Sequence, residues 1–298
     1  MKISIKATLA ALFTQIIFGF SFMFTKIALD YASPMTVIAD RYIMAFVGLT
    51  VVMVVTRTKI RLNKNIWKPI LMSVFQPVLY FLFESYGIKL TTSSFSSVMI
   101  SLIPVVSMIS GIIFLKEVPA LMQYLFTALS VGGVVIMALV GRADGTVTGL
   151  GILLLFLAVV SSVAYNICCR KISSEFGVME RTYAQTAVGL IVFITIALAE
   201  NIHAPLNIIV NFADLKYTAS IFYLGVVSSV AAFMMLNYAN THLPVAKTTA
   251  FTNLNTMVSV IAGAVFLHDP VSVRTVIAVV MILVGVWGVQ LLDVKRKV

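Results

Sequence analysis

The sequence predicts an all-α integral membrane protein: ten transmembrane helices built as a 5+5 inverted-topology repeat. Three observations carry that prediction. The 298 residues are 60% hydrophobic and only 11% charged, with a mean hydropathy of +1.06, whereas a soluble domain carries about a quarter charged residues. The apolar residues fall in ten runs, each near the length of about 20 residues that a bilayer requires. The third to fifth runs also match the eighth to tenth at a constant offset of 152.

Span 1 covers 7–30. The basic start of "MKISIKATLAALFTQIIFGF" resembles a leader, but the apolar stretch is too long and no small-x-small cleavage site follows. It reads as a retained helix. Spans 2 to 5 are 34–56, 68–89, 93–115 and 119–140; spans 6 to 10 are 148–170, 178–199, 216–239, 244–267 and 271–292. Turn chemistry divides them: "SPM" at Pro34, "KEVP" at Pro119, "GRADG" at 141–145, "HLP" at Pro244 and "HDP" at Pro270. Between spans 7 and 8, "ENIHAPLNIIVNFADLK" holds an apolar "LNIIV" suited to the membrane surface. Residues 1–145 form the first five-helix repeat and 146–298 the second, within one transmembrane domain.

Charge sets the orientation. Of the 21 basic residues, 15 fall in segments on the N-terminal side, densest in "RTKIRLNKNIWK" and the tail "DVKRK". The other six are Lys26, Arg41, Lys89, Arg142, Lys216 and Arg274. Positive residues resist translocation, so both termini are expected in the cytoplasm and the protein in the cell membrane. The net charge of +10 then reads as a topology signal beside anionic lipid, not as a nucleic-acid surface.

The repeat is clearest where "SLIPVVSMISGIIFLKEVPA" at 101 meets "NLNTMVSVIAGAVFLHDPVS" at 253. Gly111 falls on Gly263, Glu117 on Asp269, Tyr86 on Tyr238 and Gly133 on Gly285. Five spans is an odd number, so the second copy crosses in the opposite sense. Such a repeat marks a secondary transporter with its site near the pseudo-twofold axis.

"FGFSFMFTK" with "SPMTVIADR" in 18–41 resembles the first-helix pattern of the ten-helix EamA-type family in the drug/metabolite transporter superfamily. "YGIKLTTSSFSSVMISLIPVVSMISGIIFLKE" resembles its helix 3–4 junction, and 238–269 its second copy. The resemblance implies a central cavity lined by spans 1, 3, 4, 6, 8 and 9, with spans 5 and 10 peripheral, and transport of small organic solutes. Two positions depart from the pattern. Phe18 stands where Trp is common, which leaves the aromatic lining and the substrate class open, and Asp269 replaces Glu.

Glu84 interrupts the apolar run from Pro69 to Ile88. A carboxylate in hydrocarbon costs several kcal/mol unless paired, solvated or protonated. Gln76, Tyr80, Phe83, Glu84 and Gly87 follow one helical stripe, expected to face a wet interior. Pro77 frees a carbonyl near Ser73 and bends the span. The candidate substrate ligands are Glu84, Tyr80 and Gln76 on span 3, and Gln15 and Phe22 on span 1. Tyr165 and Asn166 on span 6, Tyr238 on span 8, and Asn253 and Asn255 on span 9 complete the set. Residues two apart diverge on a helix, so one of the last two faces the cavity. Ser21, Lys26, Tyr183, Gln185 and Asn237 are further polar positions inside spans.

Each has a competing structural reading. Membrane Asn, Gln, Ser and Thr glue helices together. Tyr31, Tyr86 and Tyr217 read as interfacial anchors. Lys26 either snorkels or pairs with Asp30 or Asp40. Glu117 and Asp269 read as caps of the helix that follows each.

His203, His242 and His268 form no metal-ligand spacing, Cys168 and Cys169 are chain neighbours, and no GxSxG, HExxH or ATP-binding motif occurs. The sequence therefore calls for no catalytic residue, metal or cofactor. The expected activity is gradient-driven alternating-access transport of a small cation or zwitterion: an amine, a quaternary ammonium compound or an amino acid. Aromatic rings and an acid attract such charges, and Glu84 is expected to hold either the cationic group or a coupling proton. Expected partners are the small-molecule substrate, the lipid bilayer, a coupling proton or ion, and a second copy in a homodimer. One alternative is an exporter of neutral or anionic metabolites using Lys26 and Arg41. Others, of a different class, are a polytopic membrane enzyme and a non-transporting scaffold.

Overall fold

The computed structural model describes residues 2–58, 60, 65–91, 96, 99–140, 148–202, 211–266, 273–292 and 295–296. The chain opens with α1 (Lys2–Leu29) and α2 (Pro34–Thr56). Ser33 caps α2 by accepting from the Thr36 amide, Pro34 fills its first turn, and Arg57 closes it at φ 51°. Span 3 is helical but not uniform: α3 (Trp67–Ser73) widens into a π-helical stretch (Val74–Leu79) before α4 (Tyr80–Lys89). The cause is Pro77, which has no amide to donate and crowds the preceding turn. Gln76 leaves helical geometry altogether, at φ −146° and ψ 119°.

There follow α5 (Ile103–Leu115), α6 (Leu121–Val140), α7 (Gly149–Ile172) and α8 (Val178–Glu200). Span 8 repeats the irregularity of span 3. Its α9 (Leu215–Phe222) passes through a π-helical stretch (Tyr223–Ala232) into α10 (Phe233–His242). Span 9 comprises α11 (Val245–Ala250) and α12 (Thr252–Phe266), and α13 (Val273–Leu291) is the last helix. Two two-residue strands, β1 (Glu117–Val118) and β2 (Lys295–Arg296), pair antiparallel.

Among the described residues, five helical segments are long and apolar enough to cross a membrane. They are Ile5–Leu29, Pro34–Thr56, Gly149–Ile172, Val178–Glu200 and Leu215–His242. Ile103–Leu115, Leu121–Ile136 and Val276–Leu291 are shorter apolar helices. The distribution of side chains is that of a bilayer protein. Val55 and Trp287 point outward at 75% and 69% exposure, while Arg41, Arg181, Asn237 and Asn240 are buried inside. Polar groups in a membrane bundle turn inward, where partners replace water. The protein is thus an all-helical, multi-pass membrane protein.

The offset of 152 also aligns the order of elements: shifted by it, the first π-helical stretch overlaps the second, α4 overlaps α10, α5 overlaps α12 and α6 overlaps α13. The last pair also packs together through small residues. A Cβ on Gly285 would lie 2.5 Å from the Phe126 carbonyl oxygen, and one on Gly133 would lie 2.7 Å from that of Ala278. Of the aligned positions, Tyr86 is exposed on α4 and Tyr238 half-buried on α10; Asp269 lies outside the described residues.

Candidate substrate site

Arg41 is the eighth residue of α2, well below the start of that helix, and is only 8% exposed. Its Nε donates to Ser229 Oγ at 2.6 Å and its Nη2 to Ser228 Oγ at 3.0 Å, both on the π-helical stretch of span 8. The widened turn there presents consecutive serines to one guanidinium. Ser21 of α1 joins them, its hydroxyl 2.9 Å from that of Ser228. The guanidinium also lies over the Phe81 ring, 5.0 Å from its centroid, a cation–π contact that holds the charge from a second side.

Glu84 faces this cluster from α4. Tyr80, one turn earlier, donates its hydroxyl to Glu84 Oε1 at 2.8 Å. Arg41 and Glu84 act on one another electrostatically without forming a direct ion pair. Among the described side chains, Arg41 Nη1 and Glu84 Oε2 take no hydrogen bond, and neither is a fully buried atom. The site therefore offers one free guanidinium donor and one free carboxyl oxygen.

In the equivalent seam of the other half, amide and hydroxyl groups take the place of Arg41 and its serines. Gln185 is the eighth residue of α8, as Arg41 is of α2. Its Nε2 donates to the Gln76 carbonyl oxygen in the π-helical stretch of span 3, at 3.3 Å. Its Oε1 accepts from Asn237 Nδ2 at 2.8 Å. Asn237, wholly buried, also donates to Thr182 Oγ1 and accepts from Tyr165 and Cys169, each at 3.0 Å. Arg181 lies behind this set, donating to Cys169 Sγ at 2.8 Å and to Thr241 Oγ1 at 2.6 Å. Further along, Asn240 donates to Asn166 Oδ1 at 2.8 Å.

Glu117 was expected to cap the helix that follows it. Instead its Oε2 accepts the Val245 amide at 2.9 Å, capping α11, and its Oε1 lies 3.5 Å from Arg170 Nε. The helix after it is served by Gln123, which accepts from the Ala120 amide.

The expected ligands are thus divided. Glu84 and Tyr80 meet in the charged cluster. Gln76, with a 7% exposed side chain, reaches the neutral seam through its carbonyl, so the stripe on span 3 is broken at that residue. Tyr165 and Asn166 belong to the neutral network. Asn253 is used in helix packing, donating to Ser130 Oγ of α6 at 2.8 Å. Asn255 Oδ1 is buried without a hydrogen bond among the described residues. Tyr238 packs with the cluster of Ala7, Ala11 and Leu254, its ring centroid 4.2 Å from that of His242. Gln15 is buried on α1, six residues before Ser21, and the Phe22 side chain lies outside the described residues. Tyr217 is not an interfacial anchor: it is fully buried and donates to Asp40 Oδ2. Residue-by-residue reading missed Arg41, Ser228 and Ser229 as a unit. The available signal was the depth of Arg41 in span 2, which is too great for a loop charge.

A separate crevice of about 370 Å³ between α1 and α12 is lined by Leu12, Ile16, Phe20, Leu254, Met257 and neighbouring apolar residues. It offers nothing to orient a polar solute.

This architecture has known relatives. A solved crystal structure superposes with a TM-score of 0.81 at 15% identity, covering 96% of this chain and 98% of the other. The sequence is 32% identical over 296 residues to the uncharacterized transporter YcxC of Bacillus subtilis (strain 168), covering 98% of this chain and 95% of that one. An uncharacterized transporter of Archaeoglobus fulgidus is 23% identical over 92% of this chain and 95% of its own length. The profile of the EamA-like transporter family matches twice, at residues 5–139 and 149–291. Two matches in tandem across nearly the whole chain place this membrane transporter in the EamA-like transporter family.

Proposed function

We propose that the protein carries a small zwitterion, of which an amino acid is the simplest kind, across the cell membrane by alternating access. The observation that carries this reading is the pair of unsatisfied opposite charges, Arg41 Nη1 and Glu84 Oε2, in one cluster. A substrate carboxylate would take the guanidinium and the serines, and a substrate ammonium would take Glu84 and Tyr80. Charge-assisted bonds of this kind are the strong ones in a desolvated site. A simple amine would leave Arg41 uncompensated.

Ten spans in two inverted halves, 1–145 and 146–298, with both termini cytoplasmic, fit this activity. The halves would rock about the π-helical stretches of spans 3 and 8, where regular helix hydrogen bonding is already relaxed. Export of anions remains the second reading, because Arg41 is held by more groups than Glu84 is.

A thermal-shift panel on purified protein separates these. A ligand at 100 times its Kd adds about 2.7 kcal/mol of apparent stability. Amino acids are expected to stabilise more than their decarboxylated amines or their deaminated acids. Stabilisation by the amines alone would return the site to cations, and by the acids alone to anions.

A further inference from the structure

A second buried acid, Asp40, lies beside the charged cluster and is used by nothing described so far. Its side chain is completely buried. Oδ2 accepts from the Tyr217 hydroxyl of α9, and Oδ1 has no partner among the described residues. Its partner Tyr217 belongs to an apolar cluster with Ala28, Val37, Ile221 and Leu224.

Among the described residues, no cationic side chain pairs with it. Arg41, its chain neighbour, is turned about 100° away on the helix and is taken by Ser228 and Ser229. From α8, Asn201 and Glu200 are bound to Thr36 and Ser33. Asp214 is spent capping α9, and Lys216 is exposed. Tyr31 packs at a tilt against Tyr217, 5.7 Å between ring centroids. On α1 the nearest charge in sequence is Lys26, whose side chain lies outside the described residues. An ionised carboxylate with one oxygen unsolvated in hydrocarbon is far costlier than a neutral acid with one unmatched hydroxyl. The position has no acidic counterpart in the other half, where the seventh residue of α8 is Ala184.

We propose that Asp40 is a proton-binding site of the transport cycle. The proton sits on Oδ1 while Tyr217 donates to Oδ2. When α9 separates from α2, water reaches the carboxyl, the O–H bond breaks heterolytically, and the proton passes to that water. The same span 8 that holds Arg41 through Ser228 and Ser229 holds Asp40 through Tyr217, so one movement of span 8 against α2 disturbs both. The coupling of this proton to solute movement rests on the transporter reading above; the protonation itself does not.

Two measurements test the pair separately. Infrared spectra of purified protein at neutral pH should show a carboxylic-acid C=O band that Asp40→Asn removes. Tyr217→Phe, which keeps the ring packing, covers a failure of Asp40→Asn to fold, and should move that band in frequency. A spectrum without the band, or a band left in place by both variants, overturns the site. Proteoliposomes given an imposed pH gradient and a mixture of protein amino acids test the coupling. Wild type should accumulate solute and move protons with it. Asp40→Asn should keep solute exchange within about twofold and lose accumulation. Accumulation unchanged in Asp40→Asn, or solute uptake by wild type with no proton movement, overturns coupling. Absence of any uptake by wild type while the infrared band is present would instead mark failure of the transporter reading, and coupling falls with it.

Discussion

The seams α2–span 8 and α8–span 3 occupy corresponding places in the two halves, yet the first leaves charged groups with spare hydrogen-bonding capacity while the second closes on amides, with the Arg181 guanidinium bound behind them. In the first, Arg41 meets Ser228 and Ser229 and leaves a donor free, with Glu84 opposite. In the second, Gln185 meets the Gln76 carbonyl and its own oxygen is taken by Asn237. A buried network in which most groups are paired rigidifies the fold, whereas a charge with spare hydrogen-bonding capacity is costly to retain without a ligand. The two seams share a duplicated scaffold, and the proposed substrate groups lie in one of them.

The largest expected effect is on the charged seam. Arg41→Ala removes the guanidinium from Ser228, Ser229 and Phe81 and leaves Glu84 without its opposing charge. A hydrogen bond to a charged group contributes about 1.5–3 kcal/mol, so solute uptake should fall by about tenfold or more if the guanidinium holds the substrate carboxylate. Uptake in proteoliposomes checks this, and a loss smaller than that would put the substrate elsewhere.

The neutral seam should respond in stability instead. Asn237→Ala strips partners from Tyr165, Cys169, Thr182 and Gln185 at once. Each buried polar group left unmatched costs about 1–3 kcal/mol. The melting temperature should drop clearly, while the folded fraction still binds solute through Arg41 and Glu84. A variant that melts normally but fails to bind would reverse the roles of the two seams.

Gly285→Ala is the next smaller perturbation, far from either seam. Its new Cβ would press on the Phe126 carbonyl and Ser130, at a cost of about 1–3 kcal/mol if the helices cannot part. Melting curves should shift with no change in substrate preference.

The smallest effect concerns the exposed pair of Lys68 and Glu175, 2.6 Å apart, which ties the start of α3 to the α7–α8 turn. The hydrogen bond from Lys68 holds the Glu175 carboxyl below its ordinary range. A depressed folded-state value means the contribution is present above the ordinary carboxylate range and is lost as pH falls through the depressed value. Lys68→Ala should flatten that acid limb of the stability curve slightly, and pH-dependent melting of both proteins reads it. Exposed pairs contribute little.

Much of this was legible in the sequence because membrane helices are coded by composition and the duplication by position. The described parts of the runs map onto helices, and those of spans 3 to 5 overlap those of spans 8 to 10 under the offset of 152. Glu84 with Tyr80 was legible because an acid in an apolar run, with a polar residue one turn away, has few explanations. The pairings between distant helices were not. Nothing local tells that Asn253 bonds Ser130 while Asn237 gathers four partners. Glu117 looked like a local cap because the sequence does not show that α11 begins beside it. The sequence places Arg41 in span 2 without showing what holds it, because the serines that do so lie nearly 190 residues away.

Glu84→Gln tests the central claim most directly, since it removes the charge while keeping size and a partner for Tyr80. In folded, reconstituted protein, uptake of an amino acid that stabilises the wild type should fall by about tenfold or more, a loss of roughly 1.4 kcal/mol or greater in binding. The deaminated acid of the same solute should bind the variant and the wild type alike. Near-normal amino-acid uptake by well-folded Glu84→Gln, with an unchanged response to pH, would contradict the account.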